Sequence, residues 1–281
     1  MSNTIYGGCI VNMEGTIITV ETQIHNQINK FSIVGLGDMA VLEARERVRF
    51  GIINSGYRFT KKGIAINLAP AQMRKSGSHL DLAMAIGILQ ATNQIRLDPS
   101  QRILFVGELG LEGAVRSVPG TLALLQAAQA QGFTQAYIPA ENQLEASLLA
   151  AQITIFPLRN LLEVNTTIDP LAPYQPTTLT SANNNNFQDI VGNIQAKRAL
   201  LICAAGGHNI LLQGPPGTGK SLLAKAMAGI LPPLSFAELI TTTSIRSISG
   251  ESITQIDLQR PFRSPHHTSS ANAIIGGGAI P

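Results

Sequence analysis

The sequence contains no tryptophan, aromatic residues make up only 5 % of it, and charged residues only 13 %. Because 44 % of the residues are hydrophobic, a sizeable core can form, and a disordered chain held open by its own charge is excluded. The two cysteines, Cys9 and Cys203, lie far apart, which excludes a disulfide scaffold and favours a reducing cytoplasm. No apolar run reaches the ~18 residues of a transmembrane helix, and the N-terminus lacks the pattern of a signal peptide.

The length of 281 residues is typical of about two domains. Basic and acidic residues nearly balance in both halves, with 13 against 12 in residues 1–164 and 7 against 5 in residues 165–281. Neither half is basic enough to indicate nucleic-acid binding by charge alone.

Residues 1–164 mix strand-like and helix-like patterns, which predicts an α/β or α+β domain. Its first strands are predicted at 16–20 and 31–34, around a polar turn at 25–29. Further on, helices are predicted at 39–54, 80–90, 122–131 and 144–151, strands at 63–68, 103–106, 136–138 and 153–156, and a hairpin at 107–113.

Residues 165–186 differ in composition, with three prolines and a run of four asparagines, and are predicted to be a linker. A second domain is predicted over 187–281. Its expected elements are a helix at 193–205, a short apolar strand at 209–213 and a helix at 220–231, which two prolines end.

A P-loop between that strand and the last helix is the most specific motif. The string GPPGTGKS matches G-x-x-x-x-G-K-[ST] completely, and it predicts binding of ATP or a related nucleotide with Mg²⁺. Backbone N–H groups and the N-terminus of the helix would surround the phosphates. Lys220 would bridge the β- and γ-phosphates as the catalytic cation, and the Ser221 hydroxyl would bind Mg²⁺. The loop consists of Gly214, Pro215, Pro216, Gly217, Thr218, Gly219, Lys220 and Ser221.

ATP hydrolysis also needs an acidic residue at the end of a later strand, the Walker B acid. After Ser221 the acidic residues are Glu238, Glu251 and Asp257, and none follows an apolar strand pattern. We therefore expect residues 187–281 to be the first part of an ATPase domain in a longer protein. This chain alone should bind nucleotide weakly or moderately and hydrolyse it poorly.

The second half resembles the Mg-chelatase-like AAA+ ATPases, more narrowly the ComM/YifB group. The similarity rests on FQDIVG at 187–192, AKRAL at 196–200, AAGGHN at 204–209, the P-loop, RPFRSPHHT at 260–268 and GGG at 276–278. It implies that Ile190 and Val191 lie against the adenine and that Leu222 belongs to the nucleotide site. It also implies a hexameric ring and, for the ComM branch, a DNA helicase active in branch migration.

His266 and His267 suggest a metal site, but adjacent histidines point in different directions and rarely share one metal. The segment is either an ordinary loop or a contact with DNA or with a neighbouring subunit. Arg246, Arg260 and Arg263 form with these histidines the basic cluster of the second half, which would carry a DNA contact.

Residues 1–164 resemble the proteolytic domain of Lon proteases, through KSGSHLDLAMA at 75–85 and GELGLEGAV at 107–115. In this alignment His79 stands at the position of the nucleophilic serine and Leu122 at that of the catalytic lysine. No lysine lies between Lys75 and Lys197, so we expect no Ser–Lys dyad and an inactive domain.

Ser78, His79 and Asp81 lie too close in sequence to be expected as a triad, and Asp81 is predicted to cap the helix at 82–90. The domain would then be a scaffold, or would bind DNA or a partner protein. The positive charge for such binding would come from Arg45, Arg47, Arg49, Lys61 and Lys62.

The P-loop predicts an ATP- and Mg²⁺-using protein, and the resemblance to the ComM/YifB group implies that it is a cytoplasmic AAA+ motor that remodels branched DNA in homologous recombination and natural transformation. A motor subunit of a magnesium chelatase, a Lon-like ATP-dependent protease and a chain that only binds nucleotide remain the alternatives.

Overall fold

The computed structural model describes residues 3–28, 30–98, 100–166, 169–175, 187 and 190–276. The chain divides into two units, Met1–Gln175 with Ile240–Ile256, and Pro176–Leu239 with Asp257–Pro281. Of the predicted linker, residues 167–168 and 176–186 lie outside the described residues.

The first unit is built on a seven-stranded sheet with the order β3-β4-β2-β1-β5-β8-β9, and β6 pairs with β7 separately. Four of the six neighbouring pairs in the large sheet are parallel, which confirms the α/β class. Among the described residues, the strands are β1 (Asn3–Val11), β2 (Glu14–Ile28), β3 (Phe31–Val34), β4 (Lys62–Ala69), β5 (Ile103–Phe105), β6 (Glu108–Leu109), β7 (Val115–Arg116), β8 (Gln135–Pro139) and β9 (Thr154–Leu158).

Most helices predicted in the first 165 residues agree closely with the structure, but the helix predicted at 144–151 is wrong in extent, since it is a short α-helix at Gln143–Ala146 followed by a 3₁₀ turn at Ser147–Leu149. The predicted helix at 39–54 is confirmed at the same bounds, and the helices predicted at 80–90 and 122–131 each shift by one residue. The described helices are α1 (Met39–Asn54), α2 (Asp81–Ala91), α3 (Thr121–Ala130), α4 (Gln143–Ala146), α5 (Ile194–Gly206), α6 (Lys220–Ile230), α7 (Phe236–Ile248) and α8 (Ala271–Ile275), with 3₁₀ turns at Ala140–Asn142, Ser147–Leu149 and Leu161–Asn165.

The predicted turn at 25–29 is wrong for its described residues, because β2 continues through them to Ile28. This strand pairs with β1 on one side and with β4 on the other, and His25 still pairs with Gly63. The ladder with β4 therefore outweighs the polar composition of these residues, which lie beyond the end of the β1 ladder at Thr22. The real turn is at Asn12 and Met13, whose φ angles of 50° and 65° suit a tight hairpin from β1 into β2.

Helix α2 forms the centre of the core. Its residues from Asp81 to Leu89 are all buried, and it packs against β1, β2 and α1. A helix that is apolar on every face needs such a surrounded position. Helix α1 contributes its buried face from Val41, Ala44, Val48 and Ile52, and its charged residues other than Arg47 are exposed.

Gly15 marks a close approach between β2 and α3. A Cβ added at Gly15 would lie 2.3 Å from the carbonyl oxygen of Ala123 and 2.8 Å from the Cα of Leu124. Because both are backbone atoms, we expect Gly15→Ala to lower the free energy of unfolding by about 1–3 kcal/mol. Urea unfolding measures this, with Glu14→Ala at the exposed neighbour as control. A stabilised Gly15→Ala protein, as reduced chain entropy alone would give, contradicts the expectation.

In the second unit, the predicted strand at 209–213 is wrong, since residues 190–276 contain no strand. A strand needs a partner for its backbone N–H and C=O groups, and none of these residues supplies one. Ile210 and Leu212 instead pack against the buried Ile190, Leu200 and Leu223. None of the helices in the described part of the chain is long and apolar enough to cross a membrane.

Candidate nucleotide-binding site

The P-loop leads directly into α6. The helix begins at Lys220, and the preceding Gly219 has a φ of 79°. Gly217, with a φ of 82°, also lies in the left-handed region that favours glycine. These two positions curl the backbone around the first turn of α6, where unpaired N–H groups and the helix dipole attract an anion.

Lys220 lies over this loop. Its ammonium donates to the carbonyl oxygens of Gly214 at 2.8 Å and Pro215 at 2.6 Å. The Thr218 hydroxyl donates to the same Pro215 carbonyl at 2.9 Å and closes the turn. The Lys220 ammonium thus lies within reach of any phosphate that the loop would surround.

Ser221 and Leu222 occupy the first turn of α6 and are both exposed. The Ser221 hydroxyl therefore remains accessible next to Lys220, as a magnesium ligand must be. The residues that follow on the inner face, Leu223 and Ala226, are buried in the small core and fix the helix beneath the loop.

The turn before α5 lies beside the loop. Gly192 and Asn193 both have positive φ, and the Asn193 side-chain nitrogen is 3.9 Å from the position that a Cβ on Gly219 would take. Ile190 is buried in the small core, whereas 94 % of Val191 is exposed. Val191 can contact a ligand as the sequence predicts, while Ile190 would support the turn from inside. Contact of both with adenine stays a prediction.

The acidic residues after the loop have other partners. Glu238 accepts from both terminal nitrogens of Arg260, at 2.9 Å and 3.2 Å, and these hydrogen bonds, together with those from the backbone and hydroxyl of Ser235, lower the pKa of Glu238 to about 2. Glu251 pairs with Arg246 at 2.5 Å. Asp257 accepts from the backbone of Gln259. None of the three follows a strand, which agrees with the missing Walker B pattern.

The basic cluster predicted for the second half is therefore partly neutralised, because Arg246 and Arg260 are in these ion pairs. Arg263 is exposed. The rings of His266 and His267 lie 4.2 Å apart, and His266 Nδ1 hydrogen-bonds the Thr268 hydroxyl. The described residues contain no cluster of three or more side chains suited to a metal.

In the first unit, the candidate triad does not assemble. Ser78 donates to a carboxylate oxygen of Glu108 at 2.5 Å, and His79 Nε2 lies 2.9 Å from the Pro119 carbonyl oxygen. Burial lowers the pKa of His79, which keeps its ring neutral. Leu122, which the sequence comparison predicts at the lysine position, is fully buried.

The predicted capping role of Asp81 is wrong. The N-cap of α2 is Leu80, and Asp81 is the first helical residue. Its carboxylate instead accepts from Arg47 of α1 at 2.6 Å and 3.1 Å, and from the backbone of Leu109 at 3.3 Å. The side chain of Asp81 is only 1 % exposed, and burial raises its pKa to about 6 even though Arg47 lowers it. The pair ties α1 to α2.

Lys75 was not identified as special by its sequence context, yet it is fully buried. Its ammonium donates to the carbonyl oxygen of Pro70, and its backbone bonds to Leu36 and Asp38. The ammonium of the lysine nearest in sequence to Ser78 therefore bonds to the loop after β4 rather than to the Ser78 hydroxyl.

Comparison with known proteins covers both units. Residues 20–142 match the family described as subunit ChlI of Mg-chelatase, and residues 186–281 match the family described as magnesium chelatase, subunit ChlI. Protein YifB of Salmonella typhimurium is 42 % identical over 272 residues, 94 % of this chain and 53 % of the relative. Competence protein ComM of Haemophilus influenzae is 38 % identical over 287 residues, 99 % of this chain and 56 % of the relative.

The chain belongs to the magnesium-chelatase-like ComM/YifB group. YifB of Escherichia coli, 42 % identical over 94 % of the chain and 53 % of its own length, agrees with this. The chain spans about half the length of these relatives. The similarity to this group predicted from the P-loop and its flanking segments is thereby confirmed.

Proposed function

We propose that the chain is the nucleotide-binding part of a cytoplasmic AAA+ motor that uses ATP to remodel branched DNA. The observation that carries this proposal is a complete P-loop at the start of α6, in a chain of the magnesium-chelatase-like group whose relatives include a competence protein. Residues 187–281 would be the part of the ATPase domain that holds the phosphates. Subunits would assemble into a hexameric ring that completes each site.

The residues present suit ATP and Mg²⁺. The loop at 214–219 would surround the phosphates with N–H groups, Lys220 would contact the β- and γ-phosphates, and Ser221 would bind the metal. Bound Mg²⁺ would neutralise phosphate charge. Val191 would cover the base, with Leu222 nearby on the exposed first turn of α6.

ATP hydrolysis by the full-length protein tests the motor, measured with and without a branched DNA such as a four-way junction. We expect hydrolysis to be stimulated by the junction and strand exchange to require ATP. Failure of any DNA to stimulate hydrolysis contradicts the proposal. Metal insertion into a porphyrin would instead support the chelatase alternative.

DNA contact by the segment around Arg263 is a separate prediction. Arg246 and Arg260 are in ion pairs with Glu251 and Glu238, so Arg263 is the arginine of this cluster best placed to meet a phosphate. We expect Arg263→Gln to weaken duplex binding and to reduce the slope of log affinity against log salt by about 0.9, the value of one phosphate contact. Arg198→Gln, at an exposed position on α5, is the control. An unchanged affinity and slope would remove this segment from the DNA interface.

The protease alternative finds no support in the first unit. A Ser–Lys dyad needs an amine that takes the serine proton, but Ser78 donates to Glu108 and the Lys75 ammonium donates to Pro70. We expect no casein cleavage with or without ATP, and cleavage that is lost in Ser78→Ala would reverse this assignment.

A further inference from the structure

A groove of about 490 Å³ on the first unit lies between α1, the start of β3 and the segment that enters β4. Its rim carries five basic side chains and one acidic side chain, Glu46. Such an excess contrasts with residues 1–164 as a whole, where 13 basic residues meet 12 acidic ones. The basic residues of this groove, called the α1 groove below, are Lys30, Arg45, Arg49, Lys61 and Lys62.

These cations are available to a ligand. All five are exposed, and none of them forms an ion pair with a carboxylate of the described residues. Arg47, which sequence grouped with its neighbours, is not among them because it faces Asp81 on the buried side of α1. The groove thus concentrates positive charge that structural pairing does not use, and its ligand should be anionic.

The floor of the groove is aromatic and aliphatic. Phe31 and Phe59 line it with their ring centroids 6.1 Å apart, together with Ile53 and Ile64. The guanidinium of Arg49 lies 5.9 Å from the centre of the Phe59 ring. Beside it, Phe50 is 42 % exposed, and the same guanidinium is 6.0 Å from its ring. A ligand should therefore combine negative charge with flat apolar groups.

We propose that the α1 groove binds single-stranded DNA, with phosphates on the basic rim and bases against the Phe31 and Phe59 rings. Positive grooves with aromatic side chains that stack on bases are how proteins bind unpaired strands without sequence preference. A duplex shields the faces of its bases, so it would use only the basic rim. The role of the groove rests on the proposed function: the α1 groove would hold a strand displaced from a duplex while the ATPase part acts.

Fluorescence anisotropy of this chain with a labelled oligothymidylate of about 15 nucleotides tests the groove. Arg45→Gln/Lys61→Gln removes one cation from the helix side and one from the loop side. We expect affinity to fall and the slope of log affinity against log salt to shrink by about 1.4, since each single-strand phosphate contact contributes about 0.7. Arg74→Gln/Arg96→Gln, which neutralises two exposed arginines outside the groove, is the matched control and should leave both unchanged.

Phe59→Leu separates stacking from charge. We expect it to lower the affinity on the order of tenfold while the salt slope stays the same. Thermal unfolding of each variant shows whether the fold is retained. If a polyglutamate peptide competes with the oligonucleotide and Phe59→Leu has no effect, the groove binds acidic peptides and the proposal is overturned.

The outcomes distinguish the groove from the motor. If Arg45→Gln/Lys61→Gln binds the oligonucleotide as tightly as wild type does, the proposed binding of single-stranded DNA in the α1 groove is overturned. The proposed motor function is unaffected by that result. If that variant loses binding, the proposed role of the α1 groove is supported. If DNA also fails to stimulate ATP hydrolysis by the full-length protein, the proposed motor function is overturned. No binding of the oligonucleotide by wild type at low salt overturns the groove directly.

Discussion

Arg47→Met should lower the free energy of unfolding of the first unit by about 3–5 kcal/mol at pH 8. The methionine keeps the length of the side chain but leaves the Asp81 carboxylate with no cation. That carboxylate is almost entirely buried, where an unpaired charge is far more costly than at the surface. Since whole domains are stable by only about 5–15 kcal/mol, much of the stability would be lost.

The pH dependence identifies the cause. In the folded wild-type protein the pKa of Asp81 is raised from 3.8 to about 6, so the folded state takes up a proton more readily than the unfolded chain. The contribution of this group to stability therefore falls as the pH rises from about 4 to about 6. Without Arg47 the pKa should be higher still, because hydrogen bonding and charge from Arg47 lower it. The loss in free energy of unfolding caused by Arg47→Met should thus be largest at pH 8. It should shrink toward pH 5, because the Asp81 carboxyl becomes neutral as the pH falls.

Urea unfolding at the two pH values measures both effects. Arg45→Met, at an exposed position on the same helix, should change stability by no more than about 0.5 kcal/mol. Adding Asp81→Leu to Arg47→Met should recover most of the loss, because replacing both members of a buried pair by apolar groups is often tolerated. A deficit that stays constant with pH and persists in the double variant would show that lost packing, not charge, is responsible.

Local sequence patterns predicted those elements whose structure is determined by their own residues. The amphipathic pattern of α1 and the apolar run of α2 gave helices within one residue of their bounds. The patterns failed where pairing with another strand determines whether a segment is extended. β2 runs through the polar residues at 25–28 because β4 pairs with it there, and residues 209–213 form no strand because no described residue pairs with them.

The candidate sites divide in the same way. The P-loop could be predicted because all its residues are contiguous in sequence. In the structure, Gly217 and Gly219 adopt the positive φ that such a loop requires. Asp81 could not, because its partner Arg47 is 34 residues away and only the packing of α1 on α2 brings them together. The α1 groove brings together residues from three separate segments of the chain. Its excess of basic residues could not be predicted from composition, because acidic residues elsewhere balance them in residues 1–164.

Lys220→Ala should weaken nucleotide binding by this chain roughly 10- to 150-fold, the value of about 1.5–3 kcal/mol for a hydrogen bond to a charged group. Among the described residues, the Lys220 ammonium bonds to the loop carbonyls of Gly214 and Pro215 and to the Thr218 hydroxyl, so we expect its removal to leave the fold of α6 intact. Hydrolysis by the full-length protein should fall further, on the order of 100-fold, because the lysine would also stabilise charge that develops on the phosphates.

Binding of a fluorescent ATP analogue with Mg²⁺ measures the first effect, and the nucleotide-dependent shift in melting temperature checks it independently. Wild type at a ligand concentration 100 times its Kd should gain about 2.7 kcal/mol of stability, and Lys220→Ala should gain much less at the same concentration. Lys225→Ala is the matched control, since Lys225 is exposed on the same helix away from the loop. Equal affinity in wild type and Lys220→Ala would mean that the nucleotide does not sit on this loop. Ser221→Ala should weaken binding in Mg²⁺ but not in its absence, because the hydroxyl acts through the metal.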